Sequence, residues 1–471
     1  MRRVVTGAGK KRRGESMPVP LPRAAILAWL VLTIFLSLSA ARAQDQPAGG
    51  GQEVDRLVSE ALERNPDLRG NAARWEAFIQ QARQADALDD PMLMLRAQNL
   101  LIRDPLAFDR EVMTSKVVGI SQMVPFFGKR GLKREAAQQD AEQARWELEE
   151  RKVELTRMVK EGWYRLLFID RSLEIVEKNI VILDDLSRFA ETVYGVGRGL
   201  QQDVLKAQLE RSKMEEMRIS LLQNRRSLEA ALNNLRFTPA DEPIIPAAPL
   251  TLTPVRVDAA TLEELAAANR PLLKGIAARE QKAAAEKELA EKEFYPDFTF
   301  SVEYMQREPV MGSEGYDMYA AGVTFNLPVQ RERRHAMVAE AGAEIGMARA
   351  EHDAAVNRIR LDIADGLARL ERNRRLAELY RDGIIPQADH SLAAATAAYR
   401  AGTADFMNVL DSRMALFNYE REYIEAVAGY QMQLAVLEAV VGTGLDQAIT
   451  GEQPAAADPP QTPDQEHRAA P

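Results

Sequence analysis

The stretch 295-YPDFTFSVEYM-305 decides how this chain is read. Phe298, Phe300, Val302 and Tyr304 alternate with Asp297, Thr299, Ser301 and Glu303, and a period of two belongs to a strand with one apolar and one polar face. The flanking segments are charged, alanine-rich and spaced as helices. A mainly α chain therefore keeps a clean strand, entered through Pro296.

Three further segments behave alike. In 92–100, Leu93, Leu95 and Ala97 oppose Arg96 and Gln98; in 116–124, Val118, Ile120 and Val124 share a face that Gln122 interrupts. In 318–327, Tyr319, Ala321, Val323, Phe325 and Leu327 alternate with Ala320, Gly322, Thr324 and Asn326. The first two make one strand pair, and 297–305 with 318–327 make another. Each strand has about ten residues, the length of a tilted strand across a bilayer. Pro91, Pro125, Pro296 and Pro328 mark the strand–helix junctions, where a missing N–H does least harm to a ladder. A half-buried hairpin lying on helices shows the same alternation, so the choice rests on the remainder of the chain.

That remainder is duplicated. Pro66 and Pro271, Pro91 and Pro296, Tyr194 and Tyr399, and Gly197 and Gly402 each lie 205 residues apart. "VGISQMVPFFGKR", ending at Arg130, matches "AGVTFNLPVQRER", ending at Arg333, at a shift of 203, which places a two-residue difference in the connection between the strands. Each half reads helix, strand, strand, long helix and another helix, with the first repeat at 53–236 and the second at 258–445. Residues 237–257, with Pro239, Pro243, Pro246, Pro249 and Pro254, read as an extended linker, and 446–471 as a disordered tail. The long helices run from about 132 to 193 and 334 to 398. Leu173, Val176, Ile180, Leu183, Leu186, Phe189 and Val193 form one coiled-coil-like stripe, and Val356, Ile359, Ile363, Leu367 and Leu370 another. Sixty helical residues extend roughly 90 Å. Pro386 stands where the first half has Val181, so a kink or offset is expected only there.

The N-terminus gives the compartment. Seven Lys/Arg from Arg2 to Arg23 precede an apolar run from Ala24 to Leu38 and the small-residue triplet Ala41-Arg42-Ala43. This pattern reads as a secretory signal peptide over 1–43, starting at Met1 or at Met17, with 44–52 as a linker. The apolar run is short for a retained span of roughly 20 residues, and no later segment reads as an apolar transmembrane helix. Residues 1–43 carry a net +7, so cleavage takes the formal charge from −9 to −16. An acidic protein lacks the basic face that phosphates need, so no nucleic-acid partner is expected. The absence of cysteine excludes disulfides, thiolate catalysis, thiolate-bound metal and an acylated N-terminal cysteine.

Four strands cannot close a membrane barrel, whose smallest examples have about eight. More than one chain is required, although strand count does not choose between dimer and trimer.

With "ALERNPDL", the duplicated hairpins, "VGISQMVPFFGKRG", "YGVGRGLQQDVLKAQLE" and "YRAGTADFMNVLDSR" in view, residues 53–445 resemble the TolC family of outer-membrane efflux ducts. The resemblance implies a homotrimer in which each protomer gives four strands to one shared transmembrane β-barrel while its helices build an α-helical tunnel in the periplasm. It also implies outer-membrane lipid, a periplasmic adaptor protein and an inner-membrane proton-driven pump as partners. "QMVPFFGKRG" and "IIPQADHSLAAATAAYRAG" look most like the heavy-metal (CzcC/CusC-like) branch, which implies export of metal cations. Gly197 and Gly402 would mark the tip turns at the periplasmic end. Asp203 resembles the acid that holds the closed gate, with Tyr399 as a hydrogen-bond partner. Ala404 stands where the family's arginine partner is expected, leaving Arg198 or Arg400 to replace it. Asp411 matches an acidic position at the aperture and Asn408 stands where a second acid is often found. Three copies of Asp411 would form a cation-favouring ring.

No enzyme and no cofactor are expected. His335, His352, His390 and His467 lack metal-ligand spacing and a partnered nucleophile. Met92, Met94 and Met123 fall on the interior side of the strands by alternation; thioethers suit soft monovalent copper or silver, yet methionine also serves as adaptable filler. Two alternatives remain open: a multidrug or protein-secretion duct of the same family, and a secreted periplasmic coiled-coil scaffold, which osmotic shock would release without detergent.

Overall fold

A computed structural model describes residues 50–246, 249–252, 255, 257–310 and 312–445. The signal peptide, most of the segment before the first repeat and the C-terminal tail lie outside the described residues. The first half comprises α1 (Gly50–Arg64), α2 (Pro66–Gln84), β1 (Met92–Gln98), β2 (Ser115–Val124), α3 (Lys129–Gly195) and α4 (Gln201–Arg236). The second comprises α5 (Ala259–Asn269), α6 (Pro271–Lys292), β3 (Phe298–Arg307), β4 (Met318–Phe325), α7 (Arg331–Leu379), a π-helical turn (Tyr380–Ile384), α8 (Ile385–Arg400) and α9 (Phe406–Val441).

The duplicated prolines have duplicated jobs. Pro66 and Pro271 each open a helix, where their missing N–H is one that the first turn leaves unbonded anyway. Asn65 caps α2 by accepting from the Asp67 N–H at 2.9 Å, and its own amide donates to the Leu235 carbonyl at 3.0 Å. The cores repeat as well. Leu57, Ala61, Leu68 and Leu232 are buried in one cluster, and Leu262, Ala266, Leu273 and Leu437, each 205 residues later, are buried in the other. Of the two expected stripes, Leu173, Val176, Leu183, Ile359, Ile363 and Leu370 are buried.

α3 has 67 residues without a break. Its counterpart breaks where proline was expected to break it. Pro386 cannot donate to the carbonyl of Asp382, and the backbone responds by widening the preceding turn, so that the Ile385 N–H reaches Tyr380 O, five residues back. α9 corrects one expectation: by length and composition it could cross a membrane, but most of that window is buried inside the fold, as suits a core helix. The linker lies closer to the cores than its composition suggested. Ile244 is buried in the first cluster, while the Val255 N–H donates to Tyr430 Oη at 2.9 Å beside the second.

All four strands form one antiparallel sheet in the order β1-β2-β3-β4. The central pair joins the halves, Val124 opposite Phe298 through Ser115 opposite Arg307. Within the hairpins the two-residue difference is taken up by the ladder. Met92 pairs with Ser121; carried through the repeat, Phe298 should face Val323, but it faces Phe325. Gln98 and Ser115 thus enclose as many residues as Glu303 and Ala320. The second hairpin keeps its enclosed length and slides by two, which preserves the face of every side chain.

Candidate functional site

Register assigns the faces of the sheet. On one side stand Leu93, Leu95, Val118, Ile120, Phe300, Val302, Tyr304, Tyr319, Val323 and Phe325, all exposed in the single chain. Such a run of exposed large apolar side chains needs a covering medium. The other side carries Arg96, Gln98, Ser121, Thr299, Ser301, Glu303, Arg307 and Thr324. There Arg96 Nη2 meets Glu303 Oε2 at 2.9 Å across β2, where Gly119 leaves room: a Cβ at Gly119 would lie 3.1 Å from the Glu303 side chain. Met92, Met94 and Met123 lie on this polar side, as alternation implied. Register adds Met305, directly opposite Met318. The sequence could not show those two as partners across a ladder, because the pairing of β3 with β4 in this register has no local signature.

All four predicted junction prolines flank the strands: Pro91 just before β1, Pro125 just after β2, Pro296 two residues before β3 and Pro328 three residues after β4. Around Pro125 and Pro296 lies a charged cluster that sequence reasoning missed. Lys129, almost fully buried, places Nζ 3.0 Å from Asp297, 3.2 Å from Glu293 and 3.2 Å from the Tyr295 carbonyl. Asp297 also accepts the Phe126 N–H at 2.8 Å, and Phe126 stacks on Tyr295 at 4.5 Å. The cluster joins the end of the first strand pair to the start of the second. In sequence Lys129 looks like any basic residue opening a helix.

At the opposite ends of the long helices, the two turns are the same turn. The Gly197 N–H bonds Tyr194 O and the Arg198 N–H bonds Val193 O; the Gly402 N–H bonds Tyr399 O and the Thr403 N–H bonds Ala398 O. Each glycine has φ above +70°, a conformation costly for residues with a Cβ, which closes a helix by this pattern of bonds. The tyrosines have diverged. Tyr194 is exposed, whereas Tyr399 packs between Phe189 and Phe406, each ring 5.7 Å away.

The structure brings Tyr399 and Asp203 into one neighbourhood. Burial, reinforced by the Asp203 carboxylate, raises the Tyr399 phenol above its ordinary value and keeps it neutral. No hydrogen bond joins the two, and neither Arg198 nor Arg400 forms an ion pair, among the described residues. Asn408 and Asp411 are exposed one turn apart on α9, on the same helix face. Further along, Arg413, almost fully buried, donates to Asn179 Oδ1 at 2.7 Å and tethers α9 to α3. Of the histidines, His335 lies against Phe294 and His352 is exposed beside Asp353; His467 is outside the described residues. No group of three or more His, Asp or Glu side chains is placed to hold a metal among the described residues.

The family model described as outer membrane efflux protein matches residues 57–238 and 262–443, one match per half. No curated protein matches the chain in sequence. Among solved structures, the outer membrane protein VceC of Vibrio cholerae superposes with a TM-score of 0.71 at 19% identity, covering 84% of this chain and 97% of that one. CusC gives 0.71 at 18% identity, with 85% and 96% covered. The outer-membrane channel MtrE of Neisseria gonorrhoeae, in its open state, gives 0.70 at 16% identity, with 83% and 89% covered.

Proposed function

Because the chain belongs to the outer membrane efflux protein family, we propose that it is the outer-membrane exit duct of a tripartite efflux system and that its cargo is heavy-metal cations. The observation that carries the duct is the sheet: one exposed apolar face, one polar face bearing the Arg96–Glu303 pair, and two free edges. Three such chains would close a barrel of roughly twelve strands, with the apolar face toward lipid and the polar face toward water. The helices would continue the path into the periplasm, where an adaptor protein and a proton-driven inner-membrane pump would engage them. The metal cargo rests on the likeness of "QMVPFFGKRG" and "IIPQADHSLAAATAAYRAG" to the heavy-metal branch. A multidrug duct remains the second reading, since the superposed channels do not separate the two.

Deleting the chain from its host tests the cargo. Lower tolerance to copper, silver, zinc, cobalt or cadmium, with unchanged tolerance to hydrophobic drugs, is expected. Sensitivity to drugs alone would overturn the metal reading and leave the duct. If copper and silver tolerance survives replacement of Met92, Met94 and Met123 by leucine, the thioethers are filler on the lumenal side.

Asp203, Tyr399 and Asp411 would act at the narrow end. In planar bilayers Asp203→Ala is expected to raise single-channel conductance, because the likeness to the family's gate gives this acid the role of holding helices together at the closed end. Asp411→Ala is expected to lower cation selectivity by removing a ring of negative charge. Mutants that conduct and select like the parent would reduce these acids to solvated surface.

A further inference from the structure

β1 and β4 are the edges of the sheet, and each edge presents unpaired N–H and C=O groups that another strand can complete. On the reading of the chain as one of three barrel-forming copies, that strand belongs to a second copy of this chain. We propose that β4 pairs antiparallel with the partner's β1 in one register: Phe325 opposite the partner's Leu95, Val323 opposite the partner's Ala97, and Thr324 opposite the partner's Arg96.

Counting along the matched sequences gives this register; counting along the ladders, where the slide of the second hairpin sets β4 205 residues after β2, gives Phe325 opposite the partner's Ala97, and the prolines decide between the two. The β2–β3 contact joins the end of one hairpin to the start of the next, and the contact between copies is the same junction one hairpin further on. Residues of β4 follow their β2 counterparts by 203, and residues of β1 precede their β3 counterparts by 205. Gln122 faces Phe300 in the chain, Ile120 faces Val302 and Ser121 faces Ser301; carried through the repeat, these become the three pairs above. Faces agree, because Phe325, Val323, Leu95 and Ala97 all lie on the apolar side while Thr324 and Arg96 lie on the polar side.

Two independent features support it. In the β2–β3 ladder the last pair is Val124 with Phe298, so Pro125 and Pro296 both sit beyond the paired residues. The proposed register ends on Leu327 opposite the partner's Leu93, which again leaves Pro328 and the partner's Pro91 outside. Sliding β4 so that Phe325 faces the partner's Ala97 would drive Pro328 against the partner's Met94, inside the ladder, where a residue without N–H is excluded. The second feature is tilt. Traced through the observed pairs and on to the partner, the proposed ladder climbs about six residues per chain, which in a barrel of roughly twelve strands gives a tilt of roughly 46°. That is just above the membrane-barrel range of roughly 35–45°, whereas the slide toward the partner's Ala97 gives roughly 54°. The opposite slide, with Phe325 facing the partner's Leu93, gives roughly 35° but abandons the repeat.

The chain has no cysteine, so paired substitutions report register directly. Opposed residues of antiparallel strands have Cα atoms about 4.5–5.5 Å apart, within disulfide reach, and a two-residue offset exceeds it. Leu95→Cys with Phe325→Cys, and separately Ala97→Cys with Val323→Cys, are compared with Leu93→Cys/Phe325→Cys and Ala97→Cys/Phe325→Cys. Protein in the outer-membrane fraction is oxidised with diamide, which takes the two electrons and two protons released by each thiol pair, and is run on non-reducing denaturing gels. The first two variants are expected to shift most of the monomer band to dimer and trimer, and the offset variants to stay monomeric. Crosslinking of an offset variant alone would overturn the register and keep the edge-to-edge pairing. Monomer from all four variants, although each reaches the membrane fraction, would overturn the register and the shared barrel together.

Discussion

Val302→Arg is expected to remove most of the folded protein from the outer-membrane fraction, whereas Ser301→Arg, one residue earlier, leaves it in place. Val302 lies in the middle of β3, between Ile120 and Ala321 on the apolar side, and about half its surface is exposed in the single chain. An arginine on the lipid face near the bilayer midplane costs about 2–4 kcal/mol, and a symmetric barrel of three copies would carry that cost three times. Ser301 points to the polar side, where a long cation finds water, and surface changes of this kind stay within about 0.5 kcal/mol. The readout is the amount of detergent-extracted oligomer recovered from outer membranes. Equal recovery from both variants would mean that the apolar side covers protein, as in a half-buried hairpin, and not lipid.

The second large effect lies at the junction of sheet and helices. Asp297→Ala is expected to destabilise the protein by about 3–5 kcal/mol, the range for stripping one partner from a buried charge pair. It leaves the Lys129 ammonium with Glu293 and a carbonyl, and it orphans the Phe126 N–H. A double variant, Lys129→Met with Asp297→Asn, is expected to lose less than the single change. It removes the buried charge and keeps an oxygen for the Phe126 N–H, while Glu293 is exposed enough to be hydrated. The temperature at which the oligomer dissociates measures both. If the double variant is the weaker of the two, desolvated charge is not what the cluster manages.

The strands were legible because alternation is a local signal: expected limits of 92–100, 116–124, 297–305 and 318–327 fall within about three residues of the observed ones. The break at Pro386 was legible for a similar reason, since proline acts on its own helix. Long-range placement was not. Nothing in "FFGKR" announces that Lys129 will be buried between Glu293 and Asp297, and nothing in Arg96 announces Glu303, some two hundred residues away. The linker misled by composition, because its prolines hide the few apolar residues that dock it. α9 was passed over as a membrane-length helix, since its charged residues are spread thinly along a stripe meant for the core. At the turns, motif matching found Asp203 and Tyr399 as neighbours but could not show that the phenol is held by aromatic packing and not by the carboxylate.

The two-residue slide of the second hairpin places a parity rule on the descent of the two halves from one ancestral unit. A single inserted or deleted residue in a strand pair would rotate one strand's whole apolar row toward water, so such changes are removed by selection. Changes by two leave inside and outside intact and alter only how far the strands climb around the wall. The mismatch between the 205 and 203 offsets is even, and evenness is the only form of drift in length that this sheet tolerates without a compensating bulge. Relatives of this chain should therefore differ in the lengths of their paired strands by even steps, with odd ones confined to the loops or marked by a bulge.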